Sequence, residues 1–444
     1  MLSLLKRRSF AHGIHPPTRK EETCSLHIRR LPFAPRLYVP LLQHIGNPAV
    51  PIVRPGQEVV RGEPIARADG AMSVPMHAPA TGVIEGIEPV PTSRGAETEA
   101  IILKVYAGDD QRVRYGAPRD VDALTPGELI AAIQETGMVG LGGAAFPTHA
   151  KLSVPEGHAV DTLIVNGCEC EPYLTTDHRV MIEWVDDLIN GIRFTMKACG
   201  APRAVIGVED NKLDAVEAIR RRLPADGRIA VEAVQTKYPQ GSEKLLVTVL
   251  LGREVPSGGF PYQVGAVVQN IATLAQLGRL LPNCHGLIER VVTISGAGVE
   301  RPGNYLVPIG TPLGFVLEQA GFAGKAGELI LGGPMMGTDV ASLDVPVTKP
   351  VSGILAQRPG EHARAASRVY PCIQCGECLN ACPMNLNPSR LVLLAARREY
   401  ETMAARYHLS DCFECGCCAY VCPSHIPLVQ YFRVAKSVLR EKAA

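Results

Sequence analysis

The chain predicts a multidomain protein of mixed α/β and β class that ends in a small helical domain, and three observations predict it. Between residues 124 and 281, apolar runs of strand length alternate with helical patterns, as α/β layers require. Between residues 38 and 107, short β-branched runs are cut by Pro and Gly every few positions, as in a small all-β unit. After residue 357, two near-identical cysteine blocks dominate. At 444 residues the chain also exceeds what one hydrophobic core serves.

Taken in order, residues 1–35 are basic and punctuated by proline, with Gly13, Ile14, His15, Pro16 and Pro17 in the middle, and read as an extended arm. Its first residues set Leu2, Leu4 and Leu5 beside Lys6, Arg7 and Arg8, a pattern that suits a disordered tail better than a membrane contact. Residues 36–110 hold the β runs. Residues 111–285 hold the α/β alternation, with strands over 162–165 and 204–208 and helices over 181–196 and 214–223. Near Arg290 the rhythm changes to Val291, Val292, Thr293 and Ile294, glycine-rich turns and a short helix over 312–320. Residues 286–356 therefore form a compact α+β module. Residues 357–444 carry the cysteines, with one helix over 389–406 between the blocks and another over 428–440.

The blocks are Cys372-x2-Cys375-x2-Cys378-x3-Cys382-Pro383 and Cys412-x2-Cys415-x2-Cys418-x3-Cys422-Pro423. In this spacing three close thiolates bind one cubane and the fourth reaches the other. Cys372, Cys375, Cys378 and Cys422 are assigned to one 4Fe-4S cluster, and Cys412, Cys415, Cys418 and Cys382 to the second. Zinc is the rival use, but zinc sites set two cysteine pairs apart by a longer loop. Cys417 matches no ligand register and reads as a packed neighbour. Met335 and Met336, between glycines and proline, read as gap-filling core. Fourteen cysteines, eight of them in cluster motifs, call for a reducing compartment.

A net charge of +1 argues against a nucleic-acid partner. No run of about 18 apolar residues appears, so no transmembrane segment of its own is expected.

A second informative segment is Gly137, Gly140, Gly142, Gly143, Phe146, Pro147 and Lys151. Clustered glycines let backbone amides approach a phosphate that a nearby lysine neutralises. The segment is neither G-x-G-x-x-G nor a G-x-x-x-x-G-K-[ST] loop, and a plain tight turn is its bland rival. Three further segments follow: Asn166 to Pro172, with Cys168, Glu169, Cys170 and Glu171; Tyr238 to Lys244, with Gly241 and Glu243; and Gln269, Asn270 and Thr273.

In this order and spacing the four segments resemble the flavin- and NADH-binding subunit of respiratory complex I, over roughly residues 124–356. The resemblance implies FMN phosphate at Gly140, Gly142, Gly143 and Lys151. It implies flavin contacts at Asn166, Glu169, Tyr238, Gly241, Gln269, Asn270 and Thr273. For NADH it implies stacking at Phe146, with Glu171 and Glu243 as the candidate catalytic carboxylates. The family's flavin-side aspartate and serine fall at Cys168 and Cys170, and one of its paired asparagines is Gln269, so flavin hydrogen bonding must differ in detail.

Residues 36–110 resemble the barrel-sandwich fold of lipoyl and biotinyl carriers. The segment Ala68 to Pro75, where those carriers present a modifiable lysine, has none, which favours docking over a swinging arm. With Gly332, Gly333, Pro334 and Gly337 and the cysteine blocks, nearly the whole chain is similar to the RnfC component of Rnf-type ion-translocating electron-transport complexes. That likeness implies a soluble-ligand-binding β-grasp module at 286–356 and a dicluster ferredoxin-like domain at 357–444. It also implies two [4Fe-4S] clusters, FMN, and NADH as substrate. The implied partners are membrane-embedded and peripheral subunits, including a ferredoxin-like iron-sulfur subunit, at the cytoplasmic face of the bacterial inner membrane. The alternatives are a flavin and iron-sulfur cobalamin reductase, which typically begins near the glycine loop, and a non-catalytic electron-relay scaffold.

Overall fold

A computed structural model describes residues 8–93, 95–322, 324, 327–358 and 368–443. The leucine- and arginine-bearing tail at residues 1–7 lies outside them.

The barrel-sandwich unit pairs two sheets. One orders Arg36–Pro40, Glu97–Val105, Gly82–Pro91 and Glu58–Val59, and the other Val50–Pro51, Pro64–Arg67 and Met76–His77. Alternation along the long strands buries Ile84, Ile101 and Leu103 between them. The tip that corresponds to the carrier lysine packs against the chain's own α/β domain. Gln134 Nε2 donates to Gly70 O and Ser73 O, and His149 Nε2 meets Ala71 O at 2.8 Å. His44, His77, His149 and Lys349 are all buried along this seam.

The α/β domain is a four-stranded parallel sheet in the order Ile229–Val234, Arg203–Glu209, Thr162–Gly167, Ala266–Asn270. In chain order that is 3-2-1-4, a doubly wound pattern whose direction reverses between Thr162–Gly167 and Ala266–Asn270. Its strands read as near-continuous apolar runs because helices cover both faces. The pattern over 181–196 resolves into two helices, Thr176–Glu183 and Val185–Cys199, broken at Trp184 where φ is −122° and ψ 32°. Helix Val185–Cys199 packs on Ile271–Leu280 through Gly191 and Gly278, where a Cβ would collide with the facing backbone.

The β-grasp module is a six-stranded sheet ordered Arg29–Arg30, Gly303–Pro308, Glu289–Ser295, Gly353–Gln357, Glu328–Leu331, Thr338–Asp339, with helix Leu313–Gln319 on it. The arm thus supplies an edge strand. Arg30 and Arg61 converge on Glu289, tying arm, barrel sandwich and module together and, against partial desolvation, holding that half-buried carboxyl below its usual range.

In the cysteine domain the segment expected as one helix over 389–406 is two, Pro388–Ala396 and Tyr400–Tyr407. Arg398 takes a left-handed φ of 59°, and Glu399 N–H turns back to Leu394 O, closing the first helix. Helix Leu428–Ala443 packs across both.

Candidate functional site

The two cysteine blocks repeat in backbone as well as in spacing. Gln374 and Glu414 have φ of 57° and 64°, Gly376 and Gly416 82° and 84°, and Asn385 and His425 53° each. Left-handed residues at matched positions curl each loop around a hollow. One hollow, of about 370 Å3 with the solvent-open space at its mouth, is bordered by Cys382, Cys412, Cys415 and Cys418. The other, of about 390 Å3 on the same measure, is bordered by Cys372, Cys375, Cys378 and Cys422. Each hollow thus takes three cysteines from one block and the last cysteine of the other, and four sulfurs around one hollow suit a cubane. Cys417 also borders the first hollow but is fully buried, with Sγ 4.0 Å from Tyr238 O and packed among Ile14, Tyr238 and Ala381.

The glycine loop lies at the switch point of the α/β sheet, where open sheets of this kind bind ligands. Asn166 and Asn270, at the carboxyl ends of the neighbouring strands Thr162–Gly167 and Ala266–Asn270, are register partners. A Cβ on Gly142 would sit 3.4 Å from Asn270 Cβ, so the loop crosses directly over Asn270. Asn270 Oδ1 accepts from Ala272 and Thr273 N–H and caps helix Ile271–Leu280, and its Nδ2 donates to Asp177 at 2.7 Å. Burial, then Glu169, pushes the Asp177 carboxyl up to about 7. Asn166 Nδ2 donates to Gly241 O, and Cys168 N–H to Asn166 Oδ1. Gly241 must be glycine, because a Cβ there would lie 2.5 Å from Cys168 O.

Within the loop Gly140 N–H donates to Phe146 O at 2.9 Å and Leu141 N–H to Thr273 Oγ1 at 2.9 Å. Gly142, Gly143 and Ala144 are exposed, and their N–H groups meet no protein acceptor among the described residues. Gly143, at φ 103°, needs the left-handed freedom of glycine. Phe146 is half-buried. Buried Gln269 Nε2 and both amide atoms of Gln240 have no hydrogen-bond partner among the described residues. Open amides, a side-chain-free cradle and unspent buried amide groups fit a phosphorylated, hydrogen-bonding ligand such as FMN.

Other predicted residues have different engagements. Lys151 pairs with Glu243, so the phosphate and NADH candidates hold one another. Glu169 is buried and receives Thr176 Oγ1, Asp177 N–H and His178 N–H, capping helix Thr176–Glu183. Glu171, expected at NADH, accepts from Met335 N–H at 3.0 Å and Met336 N–H at 2.8 Å and clamps the β-grasp loop. Burial pushes its carboxyl up to about 7. Tyr238, expected at the flavin, is 1% exposed and donates its hydroxyl to Cys415 O at 2.7 Å. It joins the α/β domain to a cluster loop. Met335 is half-buried and fills space against Ile14, Tyr238, Ala381 and Cys417, as expected, whereas Met336 is exposed on the loop rim.

The C component of a proton-translocating ferredoxin:NAD(+) oxidoreductase complex from Clostridium ljungdahlii is 41% identical over 431 residues, 97% of this chain and 94% of that protein. The chain belongs to the RnfC family of ion-translocating oxidoreductase complexes. The C component of a Na(+)-translocating ferredoxin:NAD(+) oxidoreductase complex from Acetobacterium woodii is 38% identical over 89% of each chain. The C component of an ion-translocating oxidoreductase complex from Haemophilus influenzae is 42% identical over 96% of this chain, which spans 64% of that longer protein.

The family's domains follow in order: the RnfC barrel sandwich hybrid domain over residues 8–107, the Nuo51 FMN-binding domain over 133–279, an SLBB domain over 291–339 and a 4Fe-4S dicluster domain over 371–426. The cofactors of this subunit are FMN and two 4Fe-4S clusters. The fold is shared with an NAD+-reducing [NiFe]-hydrogenase in the H2-reduced state, with a TM-score of 0.50 and 21% identity over 65% of this chain and 55% of that one.

Proposed function

We propose that this chain is the electron-input subunit of its complex, exchanging electrons between NADH and partner subunits through FMN and the two clusters. The observation that carries this reading is the Asn166–Asn270 pair at the switch point, with an open glycine loop over Asn270. In this reading Gly142, Gly143 and Ala144 amides take the FMN phosphate, with Gly140 shaping the turn. Lys151 joins them by exchanging Glu243 for the phosphate. Asn166, Gln269, Asn270 and Thr273 border the ring, and Glu169 fixes the helix that carries Asp177 to Asn270. Phe146 offers an aromatic face to NADH and the released Glu243 a polar contact. FMN, when bound, supplies the exchange between a two-electron hydride and single electrons.

The cluster held by Cys382, Cys412, Cys415 and Cys418 is the nearer one to flavin in this reading, because Tyr238, three residues before Gly241, bonds the Cys415 loop. The cluster of Cys372, Cys375, Cys378 and Cys422 is the outlet. Exposed Cys375 with exposed Val369, Tyr370 and Ile373 around it suits docking by a ferredoxin-like or membrane-embedded subunit. No helix among the described residues is long and apolar enough to cross a membrane. In this reading the chain sits peripherally, at the cytoplasmic face of the bacterial inner membrane, as its likeness to C components of ion-translocating complexes supports.

The test is anaerobic NADH titration of the full chain reconstituted with FMN, iron and sulfide. Flavin absorbance should bleach and the clusters should then reduce, with about eight irons per chain. Flavin that stays oxidised in a chain with full iron content would overturn the reading.

A further inference from the structure

Two buried cations of the β-grasp module reach under the glycine loop. Arg290, on strand Glu289–Ser295, is 2% exposed; its Nη2 donates to Leu141 O at 2.8 Å and its Nη1 to Lys349 O at 2.8 Å. Lys349, 1% exposed, donates through Nζ to Gly137 O at 2.7 Å and Pro75 O at 3.0 Å. Carbonyls at the start and middle of the loop are thereby drawn inward, toward the module. A trans peptide points its C=O and the next N–H in opposite directions. Drawing Leu141 O down therefore turns the Gly142 N–H up, out of the protein. The other side of Leu141 is fixed as well, since its N–H is held by Thr273 Oγ1.

We propose that Arg290, seconded by Lys349, is a positioning residue for the phosphate end of FMN: the β-grasp module sets the amide array of the glycine loop from below. This rests on the assignment of that loop to the FMN phosphate. Charge acts in the same direction. Among the described residues the guanidinium has no carboxylate hydrogen-bond partner, and the nearest acidic influence on it is Asp177, itself shielded by Asn270. Burial lowers the Lys349 ammonium to about 7, so near neutral pH the guanidinium supplies most of the charge and Lys349 acts chiefly through its hydrogen bonds. Cationic charge in a poorly solvated layer beneath the loop attracts a phosphate dianion more strongly than it would through water. Riboflavin, which lacks the phosphate, should not feel either effect.

The experiment is a fluorescence titration of the flavin-free, cluster-loaded full chain with FMN and, separately, riboflavin, for wild type, Arg290→Gln, Arg290→Lys and Lys349→Met. Wild type should prefer FMN. Arg290→Gln should weaken FMN about tenfold to a hundredfold and leave riboflavin unchanged. Arg290→Lys keeps the buried charge but holds only one of the two carbonyls, and should fall between; it decides the matter where Arg290→Gln fails to fold. Equal weakening of both flavins, or an unchanged FMN preference in the variants, overturns the positioning role. Equal affinity of wild type for the two flavins overturns the phosphate assignment itself.

Discussion

Acid should open the seam between the barrel sandwich and the flavin domain while the rest of the chain stays folded. His44, His77 and His149 are buried there, each with an Nδ1 that meets no partner among the described residues, and Lys349 lies beside them. Burial, then the Lys349 charge, pushes the His44 imidazole down to about 4 and the His77 imidazole to about 3, from an ordinary value of 6.5. In an opened seam both rings would protonate near about 6.5, so their neutral burial stabilises the closed form fully above that pH. The contribution is lost as pH falls toward the lowered values. At pH ~5, about 1.5 units below the solvated value, each ring costs about 2 kcal/mol, and the two together populate the open seam about a thousandfold more than at pH ~7.5. Lys349, lowered by burial to about 7, adds to the same trend only above that pH. Hydrogen exchange of peptides spanning residues 68–77, corrected for intrinsic rates, reads this directly without global unfolding. His77→Gln should leave only about thirtyfold of the acid effect. Equal protection at both pH values, or an unaltered acid effect in His77→Gln, would refute the reasoning.

Three further outcomes are expected. Cys422→Ser should alter the EPR signal of the same cluster as Cys375→Ser, and Cys382→Ser that of Cys415→Ser; pairing within one block instead would refute crossed ligation. Asn270→Ala removes the cap of helix Ile271–Leu280 and the donor to Asp177, so stability should fall by about 1–2 kcal/mol and flavin affinity with it, read by thermal melting and flavin titration. Tyr238→Phe deletes only the bond to Cys415 O and should cost about 1 kcal/mol, leave iron and flavin content intact, and slow cluster reduction relative to flavin bleaching in stopped flow.

What was legible in the sequence was what local spacing determines. The cysteine blocks fold within a few residues of backbone, so their ligand geometry is written into intervals of two and three. Strands Thr162–Gly167, Arg203–Glu209 and Glu289–Ser295 announce themselves as apolar runs because their sheets are covered. Side-chain partners across domains have no such signal. Glu171 sits in a motif that suggests a nucleotide contact, yet each of its carboxylate oxygens also accepts a backbone N–H, from Met335 or Met336, and nothing near Glu171 foretells that loop. Tyr238 is the same case at the cluster. The break at Arg398 was hidden because no glycine marks its left-handed turn. Arg290 and Lys349 were invisible as site residues: a lone basic residue in an apolar run looks like an edge charge until its acceptors are known.

The N-terminal arm bears on how the chain is made. Arg8 pairs with Val234, Ile14 exchanges both backbone bonds with Tyr238, Gly13 N–H reaches Ala381 O, and Arg29–Arg30 completes the β-grasp sheet. The arm therefore waits for the cysteine domain, made much later in the chain, before it finds its place. Domains generally fold in order of synthesis, but this segment cannot. Docking of the arm is a closing step that reports on the finished cysteine domain, and a chain whose cluster loops are still unfilled should leave its N-terminus open to proteases.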